Sequence, residues 1–215
     1  VTMKDDFTPP IPLRNPHVQT ILSSSKLRAL GANALRKKSV PQIIAVDQGV
    51  RLLGYHSPQP HHRRTHGLIA LIHGWEGSSD SSYVISIAHY LYKRGFDIFR
   101  LNLRDHGDSH HLNEGLFHGA LTGETAMAIR EISRLAGERP FFLIGFSLGG
   151  NYALRIALRQ KSDRIPNLRH IIAVSPALDP LKSTLSIDGA FALYRLIFLK
   201  KWKRSLKKKQ AFFPD

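Results

Sequence analysis

The chain predicts an α/β fold, a mostly parallel sheet with helices on both faces, and three observations carry that expectation. Short, largely apolar runs recur at residues 67–72, 96–101, 141–144 and 170–174, with the length and composition of strands buried on both faces. Segments with helical apolar spacing lie between them, at 83–93, 122–136 and 148–160. Strand after helix after strand implies right-handed crossovers, and in such sheets active sites lie beyond the carboxyl ends of the strands.

In chain order, residues 1–40 read as an N-terminal extension packing on a core that spans 41–215. Weaker strands at 42–46 and 50–55, hinged by Asp47-Gln48-Gly49, suit an antiparallel pair at the sheet edge, because Gly49 offers the positive φ of a tight hairpin. The run 67–72 opens into His73-Gly74-Trp75-Glu76-Gly77-Ser78-Ser79 ahead of a helix. The run 96–101 leads into a loop at 103–109. Pro140 marks the start of the strand at 141–144, and Ser175-Pro176 ends the one at 170–174.

The chemistry sits at the third of these strands. Gly145-Phe146-Ser147-Leu148-Gly149 is a G-x-S-x-G between an apolar strand and a helix, the layout of a nucleophile elbow. A serine on a sharp strand-to-helix turn is exposed above the sheet, and Gly145 and Gly149 let strand and helix cross closely. The helix from Leu148 aims its positive end and free N–H groups where an oxyanion would form. The loop opened by Gly74 supplies the other half. By position, the backbone N–H groups of Trp75 and Leu148 are the expected oxyanion donors. His73 precedes the donor and is expected to tie the loop down by hydrogen bonds.

Four segments together resemble the α/β-hydrolase superfamily, and within it the YheT-like group. They are Asn15-Pro16-His17-Val18-Gln19-Thr20, His73-Gly74-Trp75-Glu76-Gly77-Ser78, Asn102-Leu103-Arg104-Asp105-His106-Gly107-Asp108-Ser109 and Gly145-Phe146-Ser147-Leu148-Gly149-Gly150-Asn151. The resemblance implies a serine carboxylester hydrolase acting through an acyl-enzyme on Ser147, with acylglycerol or other lipid-like esters as substrates and no cofactor. It also implies that the chain is truncated. Members continue through further strands carrying the catalytic acid and histidine in the order Ser, Asp/Glu, His, whereas this chain runs from Val1 to Asp215. The triad acid and histidine are therefore not expected within it, and the chain alone is expected to be inactive.

The histidines and acids that are present fit other roles. After Ser147 the sequence holds only His170, at the start of its strand and so at the opposite edge of the sheet from the serine. Asp179 follows a strand on the correct edge, where a loop or substrate-site role is expected. His106, His110, His111 and His118 precede Ser147, the wrong order for this fold, and are read as loop histidines. No second ligand group with zinc spacing accompanies them, so no metal is expected.

The formal net charge of +15 is partly local. Lys200, Lys201, Lys203, Arg204, Lys207, Lys208 and Lys209 follow an apolar stretch with no acid among them, and Trp202 and Leu206 continue an apolar stripe. One amphipathic helix over 189–209 is expected, within a cap or lid at 181–211. Its basic segment at 200–209 either is a solvated face or rests on an anionic membrane. No nucleic-acid module accompanies the charge, so no nucleic-acid partner is expected. There is no signal-peptide pattern and no apolar run of membrane-span length, and the absence of cysteine excludes disulfides and a thiol nucleophile. A cytoplasmic, membrane-peripheral protein is the expectation. The alternative is a non-catalytic hydrolase-like remnant that binds lipid or a protein partner.

Overall fold

The computed structural model describes residues 8–23, 25–60, 64–189 and 192–214. Six strands, β1 (Val40–Ala45), β2 (Arg51–Ser57), β3 (Leu68–Ile72), β4 (Asp97–Leu101), β5 (Phe141–Phe146) and β6 (Leu168–Val174), form one sheet in the order β1-β2-β4-β3-β5-β6. The β4–β3, β3–β5 and β5–β6 pairs are parallel. The β1–β2 hairpin lies at one edge, with Gly49 at φ 75 in its turn. Its second strand runs antiparallel to β4, which joins the hairpin to the parallel part.

Helices α1 (Pro16–Ser23), α2 (Asn33–Lys38), α3 (Ser82–Lys93), α4 (Thr122–Arg134), α5 (Leu148–Arg159), α6 (Pro180–Asp188) and α7 (Ala192–Phe212) complete the fold. The alternation of side chains along β3 explains the two layers. Leu68, Ala70 and Ile72 join Ile129 and Ile132 of α4 and Tyr152 and Ile156 of α5. Ile69 and Leu71 join Val84, Ile85 and Ala88 of α3 and Leu35 of α2. Every residue of β3 and β4 is buried, as a central parallel strand covered on both faces must be. Each fully buried Leu or Ile contributes about 1.5–3 kcal/mol of transfer free energy. By contrast β6 pairs with β5 only among the described residues, and its Ile172 and Val174 are exposed.

Register gathers the functional loops. Ile72 lies opposite both Leu101 and Gly145, and Gly145 lies opposite Ala173, so four parallel strands end along one edge of the sheet. Several boundaries differ from the sequence expectation. The tail helix begins at Ala192 and reaches Phe212, while Gly189 closes α6 through its N–H to Leu185 O at 2.9 Å; residues 190 and 191 of the expected helix lie outside the described residues. No described helix is long and apolar enough to cross a membrane.

Candidate active site

Ser147 occupies the turn between β5 and α5 at φ 52, exposed between buried Gly145 and Gly149. Hydrogen bonds fix that turn: Ser147 N–H donates to Val174 O at 3.0 Å, while Ser147 O accepts from Asn151 N at 2.9 Å and Ala177 N at 3.2 Å. Both glycines are sterically required. A Cβ at Gly145 would lie 2.1 Å from Gly149 O, and one at Gly149 would lie 2.5 Å from the carbonyl oxygens of His73 and Ile72. The serine is thus raised on a tight crossing between strand and helix, against the end of β3.

The loop after β3 closes on it. A Cβ at Gly74 would meet Ser147 Cβ at 3.1 Å, so loop and serine are in near contact. Hydrogen bonds account for most of the loop's amides. Gly74 N–H donates to Tyr83 Oη at 2.9 Å, Glu76 N–H to His106 Nε2 at 3.2 Å, Gly77 N–H to Gly74 O at 2.9 Å, Ser78 N–H to Ser81 Oγ at 2.9 Å and Ser79 N–H to Asn102 Oδ1 at 2.6 Å. The Trp75 and Leu148 N–H groups find no acceptor among the described residues. Backbone donors are normally paired, and here two unpaired ones border the cavity that Ser147 opens into.

His73 is structural. Its Nε2 accepts from Leu103 N at 3.1 Å and its Nδ1–H donates to Gly74 O at 2.7 Å. Complete burial, then the adjacent His106, lowers its pKa to about 3. His106 Nδ1–H likewise donates to Arg104 O at 2.7 Å, and burial lowers its pKa to about 4. Both rings are neutral, with both nitrogens engaged, which leaves neither able to take a proton from Ser147. His110 Nε2 contacts Ser205 Oγ at 2.9 Å. His118 lines the cavity itself. His170 pairs with Phe142, four residues before the Val174 carbonyl that holds Ser147, or about 13 Å along the strand. Asp179 caps α6, accepting from Lys182 N at 3.0 Å.

The cavity measures about 1020 Å³ and is bordered by Trp75, Ser147, Leu148, Phe146, Phe198 and Trp202. Helix α7 contributes to its wall: the Phe198 ring stacks on Trp75 with centroids 5.4 Å apart, and Lys201 borders the same space. The tail's charge needs a correction. Lys209 is not part of a solvated or lipid-facing surface; it is 4% exposed, and its Nζ reaches Asp105 Oδ1 at 2.9 Å and the Asn113 carbonyl. Helical spacing turns Phe198, Ser205 and Lys209 inward and leaves Lys200, Lys203, Arg204 and Lys207 exposed. Sequence reasoning missed Tyr83, Asn102 and Lys209 as holders of these loops. Asn102 alone was signalled, by its place in the segment after β4.

The alpha/beta hydrolase fold family matches residues 67–207, and the chain belongs to that family. A curated relative is the "Putative esterase YheT" of Escherichia coli strain K12, 25% identical over 146 residues, covering 68% of this chain and 43% of the relative. This supports the YheT-like grouping. Another is a monoacylglycerol lipase of Saccharomyces cerevisiae, 26% identical over 169 residues, covering 74% of this chain and 37% of the lipase. The chain thus spans less than half the length of these curated relatives. Solved structures share the fold. The hydrolase GrgF from Penicillium sp. sh18 aligns at TM-score 0.52 with 19% identity, covering 69% of this chain and 50% of that one. Est1E from Butyrivibrio proteoclasticus, solved with ferulic acid, aligns at 0.52 with 21% identity, covering 63% and 53%.

Proposed function

We propose that Ser147 is the nucleophile of a carboxylic ester hydrolase, attacking the acyl carbonyl of a lipid-like ester such as an acylglycerol and passing through an acyl-enzyme. The observation that carries this reading is the pair of unpartnered N–H groups, Trp75 and Leu148, bordering the cavity into which Ser147 is raised. Donors fixed before the reaction stabilise a developing oxyanion without reorganising. The apolar and aromatic lining suits an acyl chain, and the esterase and lipase names of the curated relatives point the same way.

In this reading the 215 residues supply nucleophile and oxyanion donors without an engaged general base, because His73 and His106 have both ring nitrogens bonded and His170 lies back along β6. A serine near neutral pH is a poor nucleophile until a histidine takes its proton. Ester turnover with a short-chain chromogenic substrate tests it. The 215-residue chain and a form extended to the length of its curated relatives are compared, each against Ser147→Ala. Expected are Ser147-dependent turnover by the longer form and turnover lower by several orders of magnitude in the short chain. Robust Ser147-dependent turnover by the short chain would overturn the missing-base reading and make His118 the first residue to replace.

The partner proposal is an anionic lipid surface met by the outer face of α7. It is supported by exposed Leu196 and Leu199 beside Lys200, Lys203, Arg204 and Lys207, with no acid anywhere on the helix.

A further inference from the structure

The loops after β3 and β4 each contain a tight turn with an acidic residue in the left-handed region. Gly77 N–H donates to Gly74 O at 2.9 Å across Glu76 at φ 54, and His106 N–H donates to Leu103 O at 3.1 Å across Asp105 at φ 56. A residue with a Cβ is strained there, and such a turn persists only when its surroundings over-determine it. The Glu76 turn is held by its own N–H, which donates to His106 Nε2. The Asp105 turn is held from the far end of α7. Lys209 Nζ sits among Asp105 Oδ1 at 2.9 Å, the Asn113 carbonyl, Gly115 O at 3.3 Å and His110 O at 3.5 Å. Asp105 Oδ2 accepts from Phe117 N at 2.8 Å, and Ser205 donates to Asp105 O at 3.1 Å. Lysine is almost never fully buried unless paired. Here one carboxylate and three carbonyls form an oxygen cage around its ammonium.

We propose that Lys209 is a positioning residue for the Ser147 site: by fixing the Asp105 turn it aims His106 at the Glu76 amide and so sets the turn of residues 74–77 against the serine. The steps are contiguous: Lys209 bonds Asp105, His106 follows Asp105 in the chain and accepts from Glu76 N–H, and Gly74, two residues before Glu76 and closing the same turn, borders Ser147. Only the catalytic meaning of the relay rests on the hydrolase reading. The relay itself can be measured without turnover, so failure of one is distinguishable from failure of the other.

Hydrogen–deuterium exchange followed by mass spectrometry on the 215-residue chain tests it, with Lys209→Met, His106→Phe and the exposed control Lys207→Ala. Lys209→Met speeds exchange about tenfold or more in peptides covering 74–79 and 105–117 as well as in α7. His106→Phe speeds 74–79 while α7 keeps its protection, and Lys207→Ala changes neither. In Lys209→Gly, n-butylammonium refills the cage and restores protection at 74–79, whereas n-butanol at equal concentration does not. Release of α7 alone, with 74–79 within about twofold of wild type, would reduce Lys209 to a helix anchor and overturn the proposal, as would equal rescue by the alcohol. Should Lys209→Met fail to fold by circular dichroism, Asp105→Asn keeps an acceptor for Phe117 N–H and weakens the ion pair. Unchanged exchange at 74–79 in that variant overturns the proposal equally.

Discussion

Acid should loosen this fold well above the range where carboxylates titrate, because His73 and His106 must stay neutral to accept the Leu103 and Glu76 amides. Protonating either ring would set an N–H against an N–H. Burial is the first cause in both cases, taking the pKa of His73 to about 3 and of His106 to about 4 from an ordinary 6.5. His106 is lowered further by His110 and raised by the Arg104 carbonyl and Asp105. Lys209 is paired with that Asp105, and the Glu76 backbone N–H faces the ring. The folded pKa lies below the unfolded one, so the stabilisation is fully present above pH 6.5. It is lost as the pH falls towards the folded values. At pH 4 each ring accounts for about 3 kcal/mol. With centroids 4.8 Å apart the two are coupled, so the joint loss is about 3–6 kcal/mol, comparable with the total stability of a typical domain. Urea unfolding followed by circular dichroism between pH 7.5 and 4.5 measures this. His106→Gln, which retains an acceptor but binds no proton, should flatten the slope by up to about 1.4 kcal/mol per pH unit. Equal slopes for wild type and variant would refute the neutral-acceptor assignment.

Three further outcomes follow from packing and charge. Gly149→Ala drives a methyl to 2.5 Å from two carbonyl oxygens and should cost several kcal/mol in urea unfolding, whereas Gly123→Ala in α4, with open space around it, should be neutral or stabilising by up to about 1 kcal/mol. Phe198→Ala removes the ring stacked on Trp75 and should red-shift tryptophan emission, since Trp75 and Trp202 are the chain's two tryptophans and both border the cavity. The chain should sediment with anionic but not neutral vesicles and be released by salt. Charge reversal at Lys200, Lys203 and Lys207 should abolish that binding.

The parallel strands were legible because β3 and β4 are buried on both faces, and burial on both faces leaves a mark in each residue. The Ser147 turn was legible because close crossing admits only glycine at 145 and 149, so local sterics write themselves into local sequence. Lys209 was not. It belongs to a run of lysines whose neighbours are exposed, and its partner Asp105 lies 104 residues upstream, beyond any periodicity. Tyr83, which holds the Gly74 amide from the first turn of α3, was hidden because a single side-chain-to-amide hydrogen bond leaves no pattern along the chain, whereas Asn102 was signalled only by its place in the segment after β4. Strand order also lay outside local sequence. The hairpin was visible, but the antiparallel join of β2 to β4 depends on which edge the crossovers leave open.

The proposed chemistry turns on Ser147 as the carrier of the acyl group. Brief exposure of the chain, in a form extended to the length of its curated relatives, to an activated short-chain ester, followed by acid quench and peptide mass spectrometry, is the test. One acyl adduct is expected on the peptide containing Ser147, absent in Ser147→Ala together with turnover. An adduct on another residue, or turnover that survives Ser147→Ala, would contradict it.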